Sequence, residues 1–216
     1  MLVIRKEDNE MNIKHSLCAA ILSVSLLGAT TNDGFESNTL SPFWTFAGPG
    51  TATLSRAIAH SGSQSLMLKA STSFPWNAGI SHDYGSQGVV GAVSAWVQGQ
   101  NMCCQSAVGL QITDAAGNWA ALMQAGNAKT PNMFTARVSG SPTETDFSFT
   151  ADPASWHLFE IDTSPSGVTL KLDGKIVLTS PHMTSFETVS LGVWGGPGGY
   201  AFVDDVTLSV CECVDK

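Results

Sequence analysis

From Phe43 to Val210 the apolar residues fall at every second position within short segments, and no segment carries the three-four spacing of an amphipathic helix. Each segment is rich in β-branched or aromatic residues and is closed by Gly, Asn, Asp, Pro or Ser. The pattern predicts strands at roughly Phe43–Phe46, Ala52–Ile58, Ser65–Lys69, Gly79–Asp83, Val89–Val97, Ala107–Thr113, Trp119–Gln124, Phe134–Val138, Asp146–Phe149, Trp156–Asp162, Val168–Leu172, Ile176–Leu178, Val189–Trp194 and Ala201–Val210. Asp114 to Asn118 reads as one hairpin loop, Ser164 to Gly167 as another, and Asp173-Gly174 as a two-residue hairpin turn. Many strands without helices must bury their apolar faces against each other, so the expected fold is an all-β, two-sheet antiparallel jelly-roll sandwich.

The first 30 residues do not share this pattern. Met11 to His15 is short and basic, Ser16 to Leu27 is apolar or small, and Gly28-Ala29-Thr30 supplies small residues for cleavage. That order is a secretory signal peptide, with Met11 an alternative start, and the apolar run is too short to span a bilayer. Residues 31–216 are then one exported domain, with no membrane insertion expected.

Seven Lys+Arg stand against fifteen Asp+Glu from Thr30 onward. A sparse, acidic surface argues against nucleic acid and against anionic membranes, both of which need clustered cations. Of five cysteines, Cys18 lies in the leader. Cys103, Cys104, Cys211 and Cys213 form an even set suited to two disulfides in an exported chain, and neither pair has zinc-like C-x-x-C spacing. The expected cross-link joins the 103/104 pair to the 211/213 pair.

Asp33-Gly34-Phe35-Glu36, Trp44 and His60-Ser61-Gly62-Ser63-Gln64-Ser65-Leu66 resemble the opening of bacterial extracellular jelly rolls, and Ala201-Phe202-Val203-Asp204-Asp205-Val206 resembles their close. Trp156 to Asp162, followed by Gly167 to Gly174, resembles the laminin-G-like and concanavalin A-like lectin/glucanase group. The likeness spans nearly the whole exported chain and extends to carbohydrate-binding modules. It implies a glycan or polysaccharide partner outside the cell, although one fold hosts many functions. It also implies a structural calcium held between an early and a late acid, here Glu36 and Asp204. Read by strict alternation, Asp204 shares the apolar face of Phe202, Val206, Leu208 and Val210. A carboxylate there must bind a cation or accept hydrogen bonds from backbone amides at a bulge.

Retaining glucanases of this group carry Glu-x-Asp-x-x-Glu on one strand. Glu160-Ile161-Asp162 begins that motif, but Pro165 stands where the second catalytic carboxyl is needed. Glu160 and Asp162 are therefore expected to face outward beside an inward His157, Phe159 and Ile161. No Gly-x-Ser-x-Gly elbow is present. His82 and Tyr84 could serve a lyase as base and acid, with only Arg56 and Arg137 as arginines in the exported chain.

Sugar recognition relies on aromatic rings against pyranose faces, with short polar groups fixing hydroxyls. Trp96 and Trp156 lie in strongly patterned strands and are expected to pack. Trp76, Tyr84, Trp119 and Trp194 lie at loops or strand ends and are the candidate carbohydrate-binding residues, Trp194 preceding a glycine-rich loop. The residues favour an exported, non-catalytic, lectin-like domain. The alternatives are a polysaccharide lyase or hydrolase on the same scaffold, or an adhesive extracellular protein.

Overall fold

The computed structural model describes residues 28–73, 77–86, 88–100, 106–125, 133–140, 145–148, 155–194, 196–197 and 199–212. Every regular element among them is a strand, fifteen in all. One sheet has eight strands: β13 (Lys175–Ser180), β12 (Gly167–Leu172), β11 (His157–Ser164), β6 (Val89–Gln100), β15 (Tyr200–Glu212), β4 (Ser65–Lys69) and β3 (Thr51–Ser55) in that order, with β1 (Ala29–Asp33) also along β15. The other has seven, in the order β10 (Thr145–Ser148), β9 (Met133–Val138), β8 (Trp119–Ala125), β7 (Ala107–Thr113), β14 (Thr188–Trp194), β5 (Ala78–Asp83) and β2 (Thr45–Ala47). All pairings are antiparallel, and the spatial neighbours are mostly far apart in sequence, as in a jelly roll.

The core lies between the sheets. Val93, Ala95 and Val97 of β6, Phe159 and Ile161 of β11 and Leu170 of β12 are fully buried, facing Leu110 and Ile112 of β7, Leu122 of β8 and Leu191 of β14. Each of these side chains larger than Ala95 contributes about 1.5–3 kcal/mol by leaving water. The inward set His157, Phe159, Ile161 and outward set Glu160, Asp162 of β11 alternate as the sequence predicts. Asp162 takes its partner from the neighbouring strand, accepting from Lys171 Nζ.

Turn chemistry sets the registers. Asp173 and Gly174 both adopt positive φ, 51° and 74°, as a two-residue turn twisted like its strands requires. The Asp173 carboxylate also reaches back, accepting from the Leu158 amide at 2.8 Å and pairing with His157 Nδ1 at 2.9 Å. The Trp-His-Leu…Asp-Gly pattern is thus a fold latch. Asp33 is another, accepting from the Phe35 amide and from Trp44 Nε1, both at 2.8 Å.

β15 departs from simple alternation. Asp204 pairs with Trp96 and Thr207 with Ser94, so one extra residue bulges between them, and Asp205 has φ 46°. The bulge falls where the other edge of β15 changes partner, from β4 at Val203 to β1 at Val206. It reverses which parity faces inward. Val203 and Val206 both enter the core, whereas Phe202 and Asp204 stand on the outer face. The shared apolar face expected for Phe202, Asp204, Val206 and Leu208 is therefore corrected.

Cys103, Cys104 and Cys213, three of the four cysteines of the expected cross-link, lie outside the described residues; Cys211 pairs with Val90 of β6.

Candidate functional site

The outer face of the seven-stranded sheet carries two of the four expected aromatic residues. Val189, Leu191 and Val193 of β14 point into the core, so Thr188, Ser190, Gly192 and Trp194 point out. By register the outward rows are Asp83–Thr188–Thr113–Trp119, Ser81–Ser190–Gln111–Ala121–Arg137, Gly79–Gly192–Gly109–Met123–Thr135 and Trp194–Ala107–Ala125–Met133. Trp194 and Trp119 are both part-exposed and close opposite ends of this surface. Six strand residues, about 20 Å, separate their rows.

Three glycines stand side by side across β5, β14 and β7. Glycine inside a strand marks a close approach, and here the approaching group is identifiable. A Cβ on Gly192 would lie 2.7 Å from Trp194 Cζ2 and 3.0 Å from Cε2, so the indole rests against the bare backbone. A Cβ on Gly109 would meet Met123 Cγ at 2.7 Å. The glycine row therefore holds an indole and a thioether chain low over the sheet. Beside it lie Ser81, Ser190, Gln111 and Thr113, short groups suited to sugar hydroxyls; Gln111 Nε2 donates to Thr113 Oγ1 at 3.3 Å. Sequence reading missed the glycines, although their position inside apolar strands was the available signal.

Among the described side chains of this face, no two carboxylates are paired. Among the described residues, the outward positions of β5, β14, β7, β8 and β9 hold one acid, Asp83, and it sits in the end row accepting from the Gly85 amide at 2.8 Å. A double displacement at a sugar needs two carboxyls about 5–5.5 Å apart.

The remaining expected residues lie elsewhere. Trp76 is outside the described residues. Tyr84 packs on the core edge, its ring 4.6 Å from His82 and 5.8 Å from Phe186, and burial pushes its phenol up to about 12. His82 is stacked on Phe43 at 3.6 Å, with Nδ1 2.8 Å from the Phe43 carbonyl. These contacts make His82 and Tyr84 a packed end of the sandwich rather than a base and acid facing an open cleft.

Glu36 and Asp204 flank one loop, residues 60–64. Glu36 accepts from the Ser63 amide at 2.9 Å, the Ser63 hydroxyl at 2.7 Å and the Gln64 amide at 3.1 Å, and the Ser63 bonds hold it below the ordinary glutamate value. Asp204, fully buried, accepts from the amides of His60, Ser61 and Asp205 at 2.8, 3.2 and 2.8 Å. Burial pushes its pKa up and those amides oppose the shift. A carboxylate offers about four acceptor sites, and each of these has three engaged by N–H or O–H donors. Calcium needs six to eight oxygens, and no group of three or more metal-binding side chains occurs among the described residues. The arrangement fits a loop clamp satisfied by amides and does not fit a shared calcium site.

A family model described as a carbohydrate binding domain matches residues 28–165, from β1 through β11. Among solved structures, the cellulose induced protein Cip1 superposes with a TM-score of 0.63 at 17% identity, over 84% of this chain and 97% of its own. A Bacillus licheniformis β-glucanase gives 0.60 at 15% identity, over 85% and 99%. The Crh5 transglycosylase gives 0.62 at 15% identity, over 85% of each chain. At such identities the structures share the concanavalin A-like jelly-roll fold alone. No curated protein matches the sequence significantly.

Proposed function

The chain belongs to the carbohydrate binding domain family, and from that premise we propose that it is an exported, non-catalytic polysaccharide-binding domain whose glycan lies on the outer face of the seven-stranded sheet. The observation that carries this reading is Trp194 resting on Gly192, within a floor of small and hydroxyl-bearing residues that ends at Trp119. An indole held against the backbone offers apolar ring surface to pyranose C–H groups, and Ser190, Gln111 and Thr113 offer hydrogen bonds to the hydroxyls. A floor about 20 Å long suits an oligosaccharide stretch rather than a single ring. The basic and apolar leader supports export.

The rival reading is a polysaccharide-cleaving or transferring enzyme on the same scaffold. The names of the structural neighbours favour it, and the single outward acid on the central strands weighs against it. Affinity gel electrophoresis against laminarin, lichenan, xylan and mannan, run beside a reducing-end assay, separates the two. Retardation by at least one polysaccharide without new reducing ends is the expected result. Release of reducing ends that survives inactivation of contaminating activity replaces the binding reading with the enzymatic one, and retardation by none of the four removes the glycan assignment.

A further inference from the structure

The outer face of the other sheet carries a second aromatic constellation, built around Trp96 and Trp156, which were expected to pack. On β6, Trp96 and Gln98 are neighbours on that face. The last pair of β11 with β6 is His157 with Val97, and the register carried one residue further sets Trp156 beside Gln98. On the other side, Gln98 pairs with Phe202, which shares its outward face. The His60 ring, delivered from the clamped loop, stacks on Trp96 at 3.9 Å and 13° and meets Trp156 edge-on at 5.8 Å.

Two polar groups accompany these rings. Gln98 is 8% exposed and its Oε1 meets no donor, which is costly for a buried carbonyl. His60 Nδ1 lies 2.7 Å from Asp205 Oδ2, so the pair engages Nδ1 and leaves Nε2 as the other ring nitrogen. Aromatic faces combined with an acceptor that needs an O–H donor match the chemistry of a saccharide, which presents C–H faces ringed by hydroxyls. The stack also fixes His60 in place before any ligand arrives, because Asp204 and Asp205 hold its amide and its ring together.

We propose that Trp96, Trp156, His60 and Gln98 form a second saccharide-binding site on the eight-stranded sheet, on the opposite face from Trp119 and Trp194. Its ligand is a short neutral saccharide seated against Trp156, one hydroxyl donating to Gln98 Oε1 and another hydrogen-bonded to His60 Nε2. A chain with binding surfaces on both faces can bridge two polysaccharide strands, and linked sites raise avidity without new contacts.

The test uses the full chain labelled with 5-fluorotryptophan and titrated with laminarihexaose, cellohexaose, xylohexaose and mannohexaose, followed by fluorine NMR. The background is the W119A/W194A double variant, so that the second site is read alone. The expected result is movement of the Trp96 and Trp156 resonances with at least one hexasaccharide, weakened about tenfold by Gln98→Leu, which removes the acceptor while keeping an apolar filler. A thermal melt confirms that Q98L is folded, and Trp156→Phe serves as the second variant, with a smaller loss. Still resonances with all four probes overturn the proposal, as does movement unchanged in both Q98L and W156F. Loss of binding to Trp119 and Trp194 in the parent chain, with Trp96 and Trp156 still responding, would instead remove the first-face reading and leave this one standing.

Discussion

The two outer faces of the sandwich treat their tryptophans differently. On the seven-stranded sheet Trp194 is held from below, by the absence of a side chain at Gly192. On the eight-stranded sheet Trp96 is held from above, by the His60 ring of a loop that three acids tie down. The first arrangement uses neighbours two positions apart on one strand and leaves the indole part-exposed. The second depends on contacts between residues more than 140 positions apart, so it exists only when β15, its bulge and the 60–64 loop are all in place. The lesson is that one face is stable by local strand geometry and the other by a polar clamp.

The comparison is broken most forcefully at the clamp. Asp204→Ala leaves three amides without their acceptor, and urea unfolding is expected to show a loss of about 3 kcal/mol or more. A loss below about 1 kcal/mol would mean that the amides find water and that the clamp is ornamental. On the other face, Trp194→Ala should leave the unfolding midpoint nearly unchanged while weakening polysaccharide retardation roughly thirtyfold, the scale of a lost aromatic anchor. Gly192→Ala tests the same platform without removing the ring: the added methyl meets the indole, and affinity should drop about fivefold through displacement alone.

The pH dependence separates the two acids of the clamp by sign. Glu36 is held below its ordinary value, so the stability it contributes is present above about pH 4.5 and is lost as pH falls through its folded-state pKa. Asp204 is raised, so the folded state keeps its proton longer than the unfolded chain, and that contribution fades as pH rises from about 3.8. The stability gap between wild type and Glu36→Gln should therefore narrow on acidification, while the gap to Asp204→Asn shifts the opposite way. Denaturation midpoints measured from pH 3 to 7 with both variants check this; parallel slopes would count against the assigned roles. The smallest expected effect is none. A chelator should leave the melting temperature unchanged, because amides already satisfy Glu36 and Asp204; a drop reversed by added calcium would place an ion in the clamp.

Strand placement was largely legible in the amino-acid order. Ser65–Lys69 and Ala107–Thr113 fall as expected, and the other patterned segments differ at their ends by a few residues. β1 was not expected. Ala29-Thr30-Thr31-Asn32-Asp33 lacks apolar alternation and is largely exposed, so its strand form comes from pairing with β15 rather than from any local preference. Trp119 and Trp194 were singled out because they flank turns, and the register puts both on the outer face of the seven-stranded sheet. The glycine row was not, since Gly79, Gly109 and Gly192 belong to segments that become neighbours only through the register.

Alternation, turn residues and the lack of a helical stripe determined by themselves that this chain makes two antiparallel sheets around one apolar interior. Those signals act over a few residues, and local sequence can encode them. Tertiary structure alone decided which face Asp204 and Phe202 would occupy and where the His60 ring would settle. One bulged residue at Asp204–Asp205 reverses every side chain beyond it, and strand pairing brings Gly192 beside Gly109 and His60 onto Trp96. A period of two cannot report its own interruption, because the residue that breaks it is chosen by the strands on either side.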